Sequence, residues 1–253
     1  MTNKIALVTG GSRGLGKNMA ISFAKKGVDV LLTYNTGKEE AEKVVAEIIS
    51  LGQKAVALQF DASDLKAYDT FIANVNSSLK KIWNVEKFDY LINNAGIGAT
   101  IPFANVQEEQ FDLFMNIHFK GVYFLTQKML QHMNDNGSIV NISTGTTRFA
   151  NPGYSLYASM KGAVEVFTKY LAKEVGVRGI RANVIAPGPV ETDFNNAVIR
   201  NAPPERRSMM MAQTALGRFG QADDIGSVVV FICSDDAKWI TGQRLEVSGG
   251  INL

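Results

Sequence analysis

The 253-residue sequence predicts an α/β fold: a single domain, 1–253, built on a doubly wound parallel sheet of about seven strands with helices on both faces. Three observations predict it. Short apolar runs alternate along the chain with longer segments whose apolar residues keep helical spacing. The first such run opens into a glycine-rich turn and then a helix. Later runs end in small polar clusters, Asp61-Ala62-Ser63-Asp64 and Asn93-Asn94-Ala95-Gly96, at strand carboxyl ends where such sheets gather ligands.

Ile5–Val8 has the composition of a strand buried on both faces. It feeds Thr9-Gly10-Gly11-Ser12-Arg13-Gly14-Leu15-Gly16, after which Leu15, Met19 and Phe23 share one helix face and Gly27 stops the helix. The spacing G-x-x-x-G-x-G differs from the usual dinucleotide fingerprint. Strand, glycine turn and helix start still make a phosphate cradle, because glycine lets the backbone approach the anion and free N–H groups meet it. A plain tight turn is the alternative. Val28–Thr33 reads as the second strand, and Glu39–Leu51 as a helix with Ala41, Val44, Val45 and Ile48 inward and Gly52 as its stop. Ala55–Phe60 is the third strand; Ser63 or Asp64 beyond it can cap the next helix. Tyr90–Ile92 is the fourth strand, Phe111–Met133 a long helix and Ile139–Ile142 the fifth strand. Ser155–Val177 is a second long helix, Arg181–Ile185 the sixth strand and Leu245–Val247 the seventh. No repeat, low-complexity stretch or linker divides the chain.

Composition narrows the function. A net charge of +2 leaves no basic surface for nucleic acid or an acidic membrane. Cys233 is the only cysteine, so no internal disulfide forms, and with His118 and His132 it makes no metal site; structural roles are expected for all three, and no metal. Ile5–Val8 is too short for a signal-peptide core and no run reaches membrane-spanning length, so a cytoplasmic protein is expected.

The chemistry centres on Tyr157-Ala158-Ser159-Met160-Lys161. Residues four apart share a helix face, so the Lys161 ammonium stands beside the Tyr157 phenol. A neighbouring positive charge favours the phenolate and is expected to draw the phenol pKa down from about 10. A tyrosine so tuned gives a proton to a carbonyl oxygen or takes one from an alcohol.

Taken in order, Thr9–Gly16, Asp61, Asn93-Asn94-Ala95-Gly96, Asn116, Ser143, Tyr157 with Lys161, and Pro187-Gly188 followed by Thr192 resemble the short-chain dehydrogenase/reductase family over nearly the whole chain. The resemblance implies a Rossmann-type fold and hydride transfer between a nicotinamide cofactor and a carbonyl or alcohol of a small molecule. It makes Tyr157 the general acid/base, with Lys161 lowering its pKa and holding the nicotinamide ribose. Ser143 would orient the substrate oxygen, and Asn116 would hold a water that relays protons from Lys161. Gly10, Gly14 and Gly16, with Ser12, Arg13 and Leu15 among them, would face the phosphates. Asp61, with Ala62 beside it, would take the adenine amino group. Asn93, Ala95 and Gly96 would line the adenosine side, and Pro187, Gly188, Val190 and Thr192 the nicotinamide carboxamide. The pattern most resembles 3-oxoacyl-carrier-protein reductases. A non-catalytic dinucleotide sensor is the distant alternative.

Two departures stand out: Asp64–Asp89 is a few residues longer than the family's, and Ser248 stands where an aspartate is frequent. NAD-preferring members carry an aspartate at the end of the second strand, which accepts from the ribose hydroxyls. Here Tyr34, Asn35 and Thr36 follow that strand, with no acid before Glu39, and Arg13 sits where NADP-preferring members place a basic residue. NADP(H) is therefore expected over NAD(H), with Arg13 on the 2′-phosphate and Asn35 and Thr36 adding neutral hydrogen bonds; an NAD-dependent alcohol dehydrogenase is the runner-up. Residues 190–220 are expected to form a substrate lid. Apolar residues round most of Phe111–Met133 and of the later helix ask for a partner subunit, and the resemblance implies a homotetramer, or a dimer. Family members that dock acidic carrier proteins resemble one another in a basic patch after the first long helix; here Arg178 is the only matching basic residue.

Overall fold

The computed structural model describes residues 3–253. Seven parallel strands are ordered β3-β2-β1-β4-β5-β6-β7: β1 Ile5–Val8, β2 Asp29–Tyr34, β3 Ala55–Gln59, β4 Phe88–Asn93, β5 Met133–Ile142, β6 Arg181–Pro187 and β7 Arg244–Val247. Order reverses between β1 and β4, which opens a crevice there at the carboxyl ends.

Side chains alternate across the sheet and feed two cores. Ala6, Val8, Val30 and Leu32 pack beneath α1 (Gly14–Lys25), α2 (Lys38–Ser50) and α9 (Ala222–Cys233). Ile5, Leu7 and Leu31 pack on the other face, beneath α3 (Tyr68–Ser78), α5 (Gly121–Met129) and α6 (Ser155–Val175). A strand covered on both sides has no polar face, which is why β1 reads as an unbroken apolar run.

The structure corrects the long helix expected over 111–133. It is α4 (Glu108–Met115), a π-helical turn (Asn116–Lys120) and α5, closed by a short 3-10 turn (Leu130–His132). Strand β5 begins at Met133, earlier than expected, and its pairing with β4 shifts register between Phe88 and Tyr90. The bend is local: Asn136 adopts φ 61° just before Gly137, where a Cβ would stand 2.5 Å from the Asp89 carbonyl oxygen. In the stretch before Asp89, a second π-helical turn, Leu79–Trp83, extends α3. Asp64 caps the short turn ahead of α3 by accepting from the Lys66 N–H. Between β6 and β7, the kinked turn α7 (Phe194–Ala197) and α8 (Pro204–Ala212) cross the carboxyl end of the sheet. Among the described residues no helix is long and apolar enough to cross a membrane.

Candidate active site

A cavity of about 790 Å³ opens at the carboxyl ends of the strands. Its first wall is the β1–α1 turn. Asn94 holds that turn in place: its backbone N–H donates to Thr9 Oγ1 at 2.9 Å and its side-chain amide to the Thr9 carbonyl at 2.8 Å. Gly16 lets the helix start close on the strand, since a Cβ there would fall 2.0 Å from the Gly10 carbonyl oxygen. Gly14 does the opposite. It adopts φ +54°, and a Cβ on it would meet only the Thr192 side chain, no nearer than 3.8 Å. That Cβ would project into the cavity. Helix α1 has no side-chain cap, so its first N–H groups are left for a ligand. An anionic pyrophosphate fits this cradle in shape and in charge.

The end where adenosine is expected is lined by Arg13, Tyr34, Asn35, Thr36, Asp61 and Ala62. Arg13 is exposed, and its guanidinium has no hydrogen-bond or ion-pair partner among the described residues. Glu40, from the first turn of α2, also lines this end. It is not legible in the sequence because it comes from α2, beyond the end of β2 where a ribose-binding acid is expected.

The second wall holds the residues expected to do acid–base work. Ser143 follows β5 and is 2 % exposed; Tyr157 and Lys161 project from α6. Lys161 is 3 % exposed and donates to the Ile142 carbonyl at 2.8 Å. Its Nζ lies 5.7 Å from the centre of the Tyr157 ring. The expected effect of lysine on tyrosine is corrected here. Burial pushes the phenol above its ordinary value, with Tyr154 adding to the rise. Burial also pushes Lys161 down to about 8.

His118 completes this wall and was read from sequence as merely structural. It is fully buried, lines the cavity, and meets the Tyr157 ring edge-on at 5.1 Å. Its Nε2 accepts from the Ile97 N–H at 3.4 Å, while its Nδ1 has no partner among the described residues. Burial, then the charge of Lys161, hold its pKa well below the usual value, so the ring is neutral. No sequence signal pointed to it, because only the π-helical turn brings position 118 to this face.

Of the residues expected in the site, Gly10, Ser12, Arg13, Gly14, Leu15, Gly16, Asn35, Thr36, Asp61, Ala62, Ala95, Gly96, Ser143, Tyr157, Lys161, Pro187, Gly188, Val190 and Thr192 all line the cavity. Asn93 and Asn116 do not. Asn93 points into the core and donates to Thr126 Oγ1 and Asn141 Oδ1 at 2.9 and 2.8 Å; Asn141 in turn donates to Thr168 Oγ1 at 2.8 Å. It ties β4 to β5, α5 and α6 beneath the site, and its neighbour Asn94 takes the place at the cavity. Asn116 opens the π-helical turn, half-buried and away from the cavity lining. Among the described residues no cluster of three or more His, Cys, Asp or Glu side chains is arranged to hold a metal.

A family model described as enoyl-(acyl carrier protein) reductase matches residues 10–252. A short-chain dehydrogenase/reductase of Pestalotiopsis microspora is 36 % identical over 263 aligned positions, covering 99 % of this chain and 96 % of that one. The chain belongs to the short-chain dehydrogenase/reductase family. The 3-oxoacyl-acyl-carrier-protein reductase FabG of Staphylococcus aureus is likewise 36 % identical, over 99 % of this chain and 98 % of its own. Among solved structures, the angucycline C-6 ketoreductase LanV with bound NADP superposes with a TM-score of 0.93 at 33 % identity, covering 98 % of this chain and 95 % of that one. A short-chain dehydrogenase of Burkholderia cenocepacia in complex with NADP gives 0.90 at 33 % identity, covering 99 % and 98 %. As a member of this family, the protein is an oxidoreductase of the carbonyl–alcohol pair.

Proposed function

We propose that this short-chain dehydrogenase/reductase is an NADPH-dependent carbonyl reductase acting on a small molecule, with Tyr157 as its proton donor. The observation that carries the reading is geometric: Tyr157, Lys161 and Ser143 line the same cavity as the glycine cradle. A phenol within reach of a bound carbonyl oxygen can give it a proton. When bound, the nicotinamide supplies the hydride. Lys161 holds the ribose, Gly10–Gly16 meet the pyrophosphate, Asp61 takes the adenine, and Thr192 with Pro187, Gly188 and Val190 holds the carboxamide. Residues 190–220 form the lid of a single catalytic domain; Phe194, Val198, Ile199 and Met210 already line the cavity from that segment.

Arg13 supports the 2′-phosphate, since its guanidinium is uncommitted at the adenosine end. Losing one charge-assisted contact of ~1.5–3 kcal/mol lowers the preference for NADPH about ten- to a hundredfold. Arg13→Ala should raise the NADPH Michaelis constant and leave NADH kinetics nearly unchanged. Wild type that uses NADH and NADPH with equal efficiency, on a panel of ketones, β-keto thioesters and keto sugars, would sink this cofactor assignment. A second reading, an NAD-dependent alcohol dehydrogenase, is favoured by Glu40, whose carboxylate can accept from ribose hydroxyls at that same end.

The same reading gives a homotetramer, or a dimer, in the cytoplasm. Tyr123, Val166, Tyr170 and Val177 are exposed apolar residues on the side of α5 and α6. A monomer by light scattering at micromolar concentration would contradict it. Carrier-bound substrates are not strongly preferred over small analogues: Arg178 is already committed, donating to Asp135 and to the Leu130 and Met133 carbonyls.

A further inference from the structure

Four buried side-chain polar atoms have no partner among the described residues: Asn76 Oδ1, Asn93 Oδ1, Ser138 Oγ and His118 Nδ1. Of these four residues only His118 lines the cavity. Its ring is held on three sides. Phe114 packs on it with ring centres 5.3 Å apart, Tyr157 meets it edge-on, and the Ile97 N–H donates to Nε2. The remaining edge, Nδ1 and Cε1, faces Gly96. A Cβ there would stand 2.9 Å from Cε1 and 3.3 Å from Nδ1, so glycine is what leaves that edge uncovered.

Burial, then the charge of Lys161, keep the ring neutral. A neutral imidazole carries one proton, and Nε2 uses its lone pair on Ile97, so the proton sits on Nδ1. Nδ1–H is thus a donor in a fixed tautomer, on a ring that touches Tyr157 and feels the charge of Lys161. Asn116, the residue expected to hold a water for Lys161, does not line the cavity. We propose that His118 is a positioning residue in its place: Nδ1–H donates to a water beside Lys161, and through that water the buried pair regains a proton after each reduction. The proposal rests on the reductase reading above. Tyr157 gives its proton to the carbonyl oxygen as hydride arrives on the carbon, and the phenolate left behind takes one from Lys161. The lysine amine is 3 % exposed, so its own proton has to come through a bound water, which is refilled from solvent. His118 keeps its proton throughout. Its second nitrogen is closed by Ile97 and cannot take one in exchange, so the ring orients the water and does not shuttle.

Three variants separate the donor from the packing. An asparagine amide nitrogen reaches the place of Nδ1, a glutamine amide reaches the place of Nε2, and phenylalanine keeps the ring without a donor. With NADPH and the ketone of the panel that wild type turns over fastest, His118→Asn should keep kcat within about threefold. His118→Gln and His118→Phe should lose about three- to tenfold, the equivalent of one hydrogen bond of ordinary net strength. In those two variants the solvent deuterium isotope effect on kcat should rise above the wild-type value, while the ketone KM and the NADPH affinity by fluorescence titration stay unchanged. The opposite order, phenylalanine active and asparagine impaired, overturns the proposal and leaves His118 as packing. An unmoved isotope effect, or a loss that appears in NADPH affinity instead of kcat, overturns it too. A second measurement needs no variant. The chain has two histidines, so a long-range proton–nitrogen NMR spectrum resolves both rings, with His132 as the internal reference. His118 should show the Nδ1–H tautomer and not titrate between about pH 5 and 8; an Nε2–H tautomer or a titration in that range overturns the proposal even if every variant fails to fold. Wild type inert toward the whole panel fails the reductase reading and the proton path with it; an active wild type with the wrong order of variants fails the proposal alone.

Discussion

The cavity wall at the glycine turn, where Gly10, Gly14 and Gly16 carry no side chain, differs from the wall of Ser143, Tyr157, Lys161 and His118, where side chains meet the cavity. On the first wall, glycine turn, helix start and the 94–96 loop present peptide groups, and their positions follow from local φ/ψ and one clamping amide, Asn94. On the second, Ser143, Lys161 and His118 depend on partners distant in the chain: Glu165 for Ser143, Ile142 for Lys161 and Ile97 for His118. Backbone cradles tolerate many neighbours and bind a constant ligand part. Side-chain constellations are as precise as the shell that supports them. The difference teaches where variation in this protein should hurt: changes at distance reach the second wall far more readily than the first.

The sharpest way to break that contrast is to remove one atom from the second wall. Tyr157→Phe should cut kcat by ~10²–10⁴-fold, the usual contribution of a positioned acid. Cofactor affinity, followed by NADPH fluorescence titration, should stay unchanged because the first wall is intact. Near wild-type turnover would remove Tyr157 from the role of donor.

Asn93 sharpens the boundary between binding and support. Asn93→Ala should cost ~1–3 kcal/mol of stability by leaving Thr126 and Asn141 partners unpaired in the core. Chemical denaturation reads the loss, while cofactor Michaelis constants measured well below the melting temperature should hold. A large rise in those constants at unchanged stability would return Asn93 to the first wall.

The smallest expected effect concerns acid. Burial disfavours the Glu246 carboxylate, yet hydrogen bonds from Arg148, Arg244 and Ser248 outweigh it and hold Glu246 down at about 2, below the ordinary 4.5. A depressed carboxyl contributes stability above its unfolded value, and that contribution drains away as pH falls from 4.5 toward 2. The melting-temperature gap between wild type and Glu246→Gln should therefore be widest near neutrality and close across that window. A gap that stays constant from pH 6 to pH 3 would mean the network around the second wall is held by packing and not by charge.

The same contrast explains what could be read from the chain. The strands of the sheet, the glycine cradle and the Tyr157–Lys161 pair were legible because each is local: an apolar run, a turn, a spacing of four. Asn94 against Asn93 was not, since alternation along β4 decides which amide faces the cavity and which faces the core, and a loop after a strand end hides that parity. His118 was illegible because a π-helical turn resets the helical phase between residues 116 and 120. The phenol's raised pKa was missed for another reason. Spacing puts an ammonium near a ring but says nothing of how much water burial removes. Glu165 and Arg244 stand 79 residues apart, beyond any local pattern.

The two π-helical turns carry a consequence for chain length. In an α-helix each added residue swings everything beyond it by about 100°; a π turn absorbs the addition without passing on the swing. The turn at Leu79–Trp83 closes its helix, where Asn84 in a left-handed conformation already ends the run, so nothing downstream inherits its phase. The turn at Asn116–Lys120 lies between two helices that both remain packed: Phe114 clusters with Leu156 and Met160 on one side, Leu125 and Met129 with the sheet core on the other. Single-residue gaps are thus harmless at the first turn. At the second they carry either Phe114 or His118 off its contact, so that stretch must keep its count of residues even where it is free to change their identity.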